Sequence, residues 1–167
     1  AYAGVVSALT EMDWDQYAAK IVVLISDASA LEGNHPLAST GMFTPEVREF
    51  AQAAGIALFA VHLKTREGAR DHSTAATQYE MLTRFQGKDS LYIPVEAGSV
   101  DRFGETIERL ATAMTQQVKT IRQAMTEPGK KPPAPEPPPS PDVAGIDRKA
   151  ALVGNAMQLA YLGKRKG

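Results

Sequence analysis

The stretch Lys20-Ile21-Val22-Val23-Leu24-Ile25-Ser26-Asp27 decides the fold. It is a continuous β-branched and apolar run without polar alternation, which is how a strand reads when both of its faces are buried in a parallel sheet. The run ends abruptly in a hydroxyl and a carboxylate. Ligands of parallel sheets gather beyond the carboxyl ends of the strands, so Asp27 is placed where binding chemistry belongs.

Working outward, Tyr2, Val5, Val6, Leu9 and Met12 precede this strand at helical spacing, followed by Trp14 and Tyr17 in a polar connection. Downstream, a polar loop with Gly33, Pro36 and Gly41 leads to Thr44-Pro45-Glu46. That triplet predicts a helix start: Thr as cap, Pro in the first turn, Glu against the helix dipole. Val47, Phe50, Ala51 and Ala54 form its apolar stripe, and Gly55 stops it. Ile56 to Leu63 reads as a second buried strand. A helix with Ala75, Tyr79, Leu82 and Phe85 follows and ends at Gly87, and Leu91 to Val95 reads as a short third strand nearer an edge. Ser99 caps the longest helix, whose stripe is Val100, Phe103, Ile107, Leu110, Ala111, Met114, Val118, Ile121 and Met125.

Strands alternating with helices predict an α/β fold: a Rossmann-like, three-layer arrangement with right-handed crossovers and a mainly parallel sheet. The reading divides the chain into a domain over 1–126, a Pro-rich linker over 127–145, and a C-terminal helix with a basic tail over 146–167. The linker contains Lys130-Lys131-Pro132-Pro133-Ala134-Pro135-Glu136-Pro137-Pro138-Pro139-Ser140-Pro141, the composition of a polyproline II spacer. The final helix carries Leu152, Val153, Ala156, Met157, Leu159 and Ala160, a stripe expected to pack back on the domain or onto a neighbouring molecule.

Composition excludes several classes. With 167 residues, 22% of them charged and a net charge of -1, the chain has no footprint of a nucleic-acid binder or of a membrane-surface binder. Cysteine is absent, which removes disulfides, thiol nucleophiles and Cys-based zinc sites. The longest strongly apolar runs, Ile21 to Ile25 and Ile56 to Val61, are too short to span a bilayer.

Asp27 is the best candidate for chemistry. A carboxylate there suits a hard cation such as Mg²⁺, with Ser26 and Ser29 supplying hydroxyls or orienting water. The competing reading is that Asp27 only caps a loop. Asp71-His72-Ser73 holds the residue types of a hydrolytic triad, but three consecutive residues cannot place the histidine between the other two, so Ser73 reads as a helix cap. His62 lies inside a strand and reads as a satisfied core histidine, and His35 sits in a loop without a visible partner. No glycine-rich phosphate loop is present. The PxxP spacing and the basic tail of Lys164, Arg165 and Lys166 read as spacer and solvated end.

The run Lys20 to Asp27 resembles the strand of von Willebrand factor A domains that ends in a [ST]-D-G motif. The later elements follow that family's order, and the segment Tyr2 to Leu9 looks like the helix before the Asp-bearing strand. The resemblance covers about residues 1 to 125. It implies a domain whose N-terminal strands are absent from this chain, with an exposed sheet edge covered by upstream residues, by the tail or by a second copy. An uncovered edge on a single chain tells against this account. The family's metal site combines DxSxS after the first strand, a Thr in a later loop, and an Asp that Asp27 matches. By resemblance Asp27 and Ser29 are incomplete metal ligands, no cofactor is held by this chain alone, and Mg²⁺ binds only if upstream ligands exist. Position 28 is Ala where the family has Gly. The alternative register, Asp27-Ala28-Ser29-Ala30-Leu31 as DxSxS, fails at its last position and leaves too few strands. Asn34, Lys64, Arg66 and His72 are the expected partner-binding residues around the same face.

A narrower resemblance rests on Val61-His62-Leu63-Lys64-Thr65, Gln78-Tyr79, the proline-rich spacer and Gly154-Asn155-Ala156-Met157-Gln158-Leu159-Ala160-Tyr161-Leu162-Gly163. These look like the C-terminal region of bacterial serine/threonine protein kinases associated with type VI secretion. That implies a periplasmic, non-catalytic region that binds a protein, with the kinase domain elsewhere and membrane-anchored. It implies no nucleic acid, no membrane contact by this segment, and possible self-association. The alternative is a small α/β enzyme or phosphoacceptor domain using Asp27, for which Lys64 could serve as the strand-end lysine while the paired acids are missing.

Overall fold

A computed structural model of the chain describes residues 1–17, 19–85, 90–96, 100–126 and 141–164. The expected roles of Gly87 and Ser99, and the polyproline spacer up to residue 140, lie outside the described residues. In order, the elements are α1 (Tyr2–Glu11), a 3₁₀ turn (Trp14–Gln16), β1 (Ile21–Ser26), α2 (Thr44–Ala53), β2 (Ala57–Lys64), α3 (His72–Leu82), β3 (Tyr92–Glu96), α4 (Val100–Thr126) and α5 (Pro141–Lys164). Residues Ala1–Val100 and Asp101–Gly167 form two compact units.

The first unit is an α/β body with a three-stranded, all-parallel open sheet in the order β1-β2-β3, compatible with a Rossmann-like layout. Sequential strand order places the crossover helices on one face, because right-handed crossovers moving in one direction stay on one side. One hydrophobic core accordingly joins Tyr2, Val5 and Leu9 of α1, Val47 and Ala51 of α2, Leu58 and Ala60 of β2, Ala75, Tyr79 and Leu82 of α3, and Tyr92 of β3. Side chains alternate across a strand, so Phe59 and Val61 point to the other face. Both are buried, as are Ile93 and Val95 of β3. Burying each large apolar side chain is worth about 1.5–3 kcal/mol relative to exposure.

β1 departs from its sequence reading. It is an edge strand, not a central one, and it is covered on one face only: Val22 and Leu24 pack on the core, while Val23 and Ile25 are 39% and 45% exposed. The strand buried on both faces is β2. Among the described residues no strand pairs with the outer edge of β1. β3 lies at the opposite edge, as its shortness suggested.

The helix at Thr44 forms, but Phe43 occupies the cap position and Thr44 is the first helical residue. Glu46 reaches back to accept the main-chain N–H of Phe43 at 2.7 Å. The Thr44 hydroxyl is drawn inward to Glu32. Gly55 follows α2 at φ +69, a left-handed conformation that glycine adopts without steric cost. In α3, Asp71 takes the cap position rather than Ser73, which lies within the first turn.

In the second unit, Arg109 of α4 forms a two-pronged ion pair with Asp147 of α5, one prong at 2.9 Å. The α4 stripe runs close to its expected course, with Leu110 and Ala113 buried; Ala113 takes the place expected of Ala111, which is exposed. Helix α5 begins at Pro141, ahead of the expected start near Asp147. Proline suits the first turn because the missing N–H has no helical partner there anyway. Ile146, Ala150 and Val153 of α5 are buried.

Candidate functional site at the carboxyl end of the sheet

The register aligns Ser26 of β1 with His62 of β2. One residue further, Asp27 leaves the sheet into solvent. Its carboxylate is exposed and holds no hydrogen bond or ion pair to a described residue.

The loop after Asp27 is tied down by residues of α3. The Ser29 main-chain N–H donates to one Asp71 oxygen at 2.5 Å, and the Ser29 hydroxyl donates to the other at 2.9 Å. The Tyr79 hydroxyl donates to the Ala28 carbonyl at 2.5 Å, and Ser26 Oγ donates to the same carbonyl at 2.8 Å. Gln78 clasps Ala30 from both sides: its Oε1 accepts the Ala30 N–H at 2.8 Å, and its Nε2 donates to the Ala30 carbonyl at 3.1 Å. Gln78 Nε2 also donates to Glu32 at 2.8 Å. The same carboxylate accepts from the Thr44 main-chain N–H at 2.5 Å and from the Thr44 hydroxyl, which in turn accepts from Tyr2. A half-buried carboxylate satisfied by several donors holds its neighbours in one arrangement. Here it fixes α1, α2 and α3 against the loop.

Beneath the loop lies a second cluster. His62 is fully buried. Its Nδ1 is 2.8 Å from the Tyr92 hydroxyl, while its Nε2 is buried with no hydrogen-bond partner among the described residues. The His72 ring stands edge-on to it at a centroid separation of 5.4 Å, and His72 Nε2 is likewise buried and unpartnered. Tyr79 packs against His62 at 5.9 Å. Burial lowers the His62 pKa, helped by His72 and Lys64, with Asp71 and Asp27 pulling the other way. Burial also raises Tyr79, and pushes Tyr92 up to about 12, so both phenols remain protonated at neutral pH.

A surface groove of about 690 Å³ runs between the start of α2 and α3, lined by Glu32, Phe43, Thr44, Thr77, Gln78 and Met81 among others.

The expected site residues therefore separate. Ser29 meets Asp71, the neighbour of His72, but its hydroxyl is spent there. Asn34 lies in an exposed turn and Arg66 in an exposed loop. Lys64 is paired with Glu96 at 2.8 Å, and His72 is turned inward to His62. Asp71-His72-Ser73 makes no triad, since each side chain faces a different way: Asp71 to Ser29, His72 to His62, Ser73 to the groove. An Mg²⁺ octahedron needs several oxygens from the protein or its waters. Among the described residues no three His, Asp or Glu side chains gather to hold a metal ion. Sequence reasoning missed the Asp71–Ser29 clasp, the Gln78–Glu32–Thr44 network and the pairing of His62 with His72. Only the last had a signal: a histidine inside an otherwise apolar strand run.

No family model, curated relative or solved structure matches the chain. Among the described residues no helix is long and apolar enough to cross a membrane.

Proposed function

We propose that residues 1–126 act as a non-catalytic, protein-binding module of von Willebrand A type, serving as the periplasmic sensory region of a membrane-anchored serine/threonine protein kinase linked to type VI secretion. The observation that supports binding over catalysis is the state of the strand-end groups. Asp27, Asn34 and Arg66 are exposed, and Ser29 and Lys64, the side chains that could turn Asp27 into a reactive centre, are engaged by Asp71 and Glu96. An exposed carboxylate, amide and guanidinium on a tied-down loop framework suit recognition of a polar protein surface. The open edge of β1 fits a sheet that continues with further strands in the von Willebrand reading. On the single chain, the same open edge weighs against a complete domain of that type.

The test uses a photo-crosslinking residue at Asn34 or at Arg66, in the full-length protein in its own cells, with Ala53 at the opposite end of the sheet as control. A discrete adduct from the first two positions and none from Ala53 is expected. Equal labelling at all three, or none, removes the reading. Incubation with acetyl phosphate covers the phosphoacceptor alternative, because a lasting modification at Asp27 requires that chemistry.

A further inference from the structure

Two imidazoles with bare, buried Nε2 atoms are an unusual pair to leave without partners, since buried polar atoms are nearly always hydrogen-bonded. Around His72 Nε2 more donors converge. A Cβ built on Gly68 would lie 3.3 Å from His72 Nε2, 3.2 Å from Thr65 Oγ1 and 2.8 Å from the Asp27 main-chain oxygen. The absence of a side chain at Gly68 keeps these three groups facing a common space. The ring centroids of His62 and His72 are 5.4 Å apart, close enough for two imidazoles to share one tetrahedral ion with each coordinating nitrogen about 2.0–2.1 Å from the metal.

We propose that His62 and His72 form a binding site for a single borderline dication of the Zn²⁺ class. Their Nε2 atoms are the two fixed ligands, and the Asp27 carbonyl, Thr65 hydroxyl or water complete the shell. Neutral imidazole is the form that binds such ions. Burial keeps His62 neutral. In the tautomer whose Nδ1–H donates to the Tyr92 oxygen the Nε2 lone pair is free, and a hydrogen bond of this kind orients metal-bound histidines. This site is separate from the Asp27 carboxylate and uses nitrogen rather than oxygen as its principal donor. Its occupancy does not depend on the protein-binding reading above.

The test is calorimetric titration of the chelator-stripped full chain with Zn²⁺, and the visible spectrum of the Co²⁺ form. Saturable binding of one ion per chain is expected, with a tetrahedral Co²⁺ band. His72→Gln, half-buried at the start of α3, abolishes both signals, whereas His35→Gln, in an exposed loop, leaves them unchanged. Gly68→Ala, which fills the cradle, weakens binding. Tyr92→Phe removes the hydroxyl that holds His62 Nδ1 and weakens binding by ~10- to 100-fold. Far-ultraviolet circular dichroism confirms that each variant is folded. Absence of saturable binding overturns the site, as does binding that His72→Gln leaves intact or that His35→Gln removes equally.

Discussion

β1 and β2 are nearly the same text. Ile21-Val22-Val23-Leu24-Ile25 and Ala57-Leu58-Phe59-Ala60-Val61 are both unbroken apolar runs, and they pair in parallel along their whole length. Yet every residue from Ala57 to His62 is buried, while alternate residues of β1 stand in solvent. An apolar run reports that a strand can be buried on both faces; it does not report how many neighbours the fold supplies. Position in the sheet sets that number, and β2 alone has a strand on each side. The two strand ends differ accordingly. His62, two residues before the end of β2, is a buried, half-satisfied base, whereas Asp27 leaves β1 with its carboxylate exposed.

The largest expected effect lies in β2. Phe59 is fully buried, and Phe59→Ala removes a ring and leaves a cavity, at a cost of about 3–5 kcal/mol. Urea unfolding followed by circular dichroism reads this as a lower midpoint. A loss below about 1 kcal/mol means that β2 is no more enclosed than its neighbour and erases the contrast.

Much of this architecture was legible. Periodicity located each described helix and strand, including the core positions Val47, Ala51, Ala75, Tyr79 and Leu82, because apolar spacing responds directly to burial. The helix starts were less legible. Thr44 and Ser73 have cap chemistry, but a hydroxyl follows whichever acceptor tertiary structure brings near: Glu32 claims Thr44, and Asp71 takes the cap position two residues ahead of where Ser73 was expected to serve. Asp27 was found because a residue that ends a strand is visible locally. The clasp of Ser29 by Asp71 and the meeting of His62 with His72 were not, since each joins residues ten or more positions apart. Only the register and the packing of α3 bring them together.

The next effect separates the two strand ends by pH. A histidine whose folded pKa lies below its ordinary value of 6.5 binds protons more readily when unfolded. The stability associated with neutral His62 is therefore complete above pH 6.5 and declines as pH falls below it toward the folded value. His72, Lys64, Asp71 and Asp27 set that field, and no equivalent group exists at Ser26. Denaturation midpoints measured from pH 7.5 down to 5.5 should fall, and His62→Gln should flatten the decline. An unchanged slope in that variant assigns the pH dependence elsewhere and takes from β2 its distinction as the strand that hides a titratable group.

The smallest effect is the sharpest comparison, because one substitution serves both strands. Threonine matches valine in shape and favours strands equally well, so Val→Thr alters little except the hydroxyl. At Val61, 1% exposed, that hydroxyl enters the interior and costs about 1–3 kcal/mol if no partner accepts it. At Val23, 39% exposed, water solvates it and stability moves by no more than about 0.5 kcal/mol. Midpoints measured on the two variants at one protein concentration give the difference directly. Equal losses show that the outer face of β1 is covered in solution. Repeating the pair at tenfold dilution then identifies the cover: a loss at Val23 that disappears on dilution belongs to a second copy of the chain, and one that persists belongs to the same molecule.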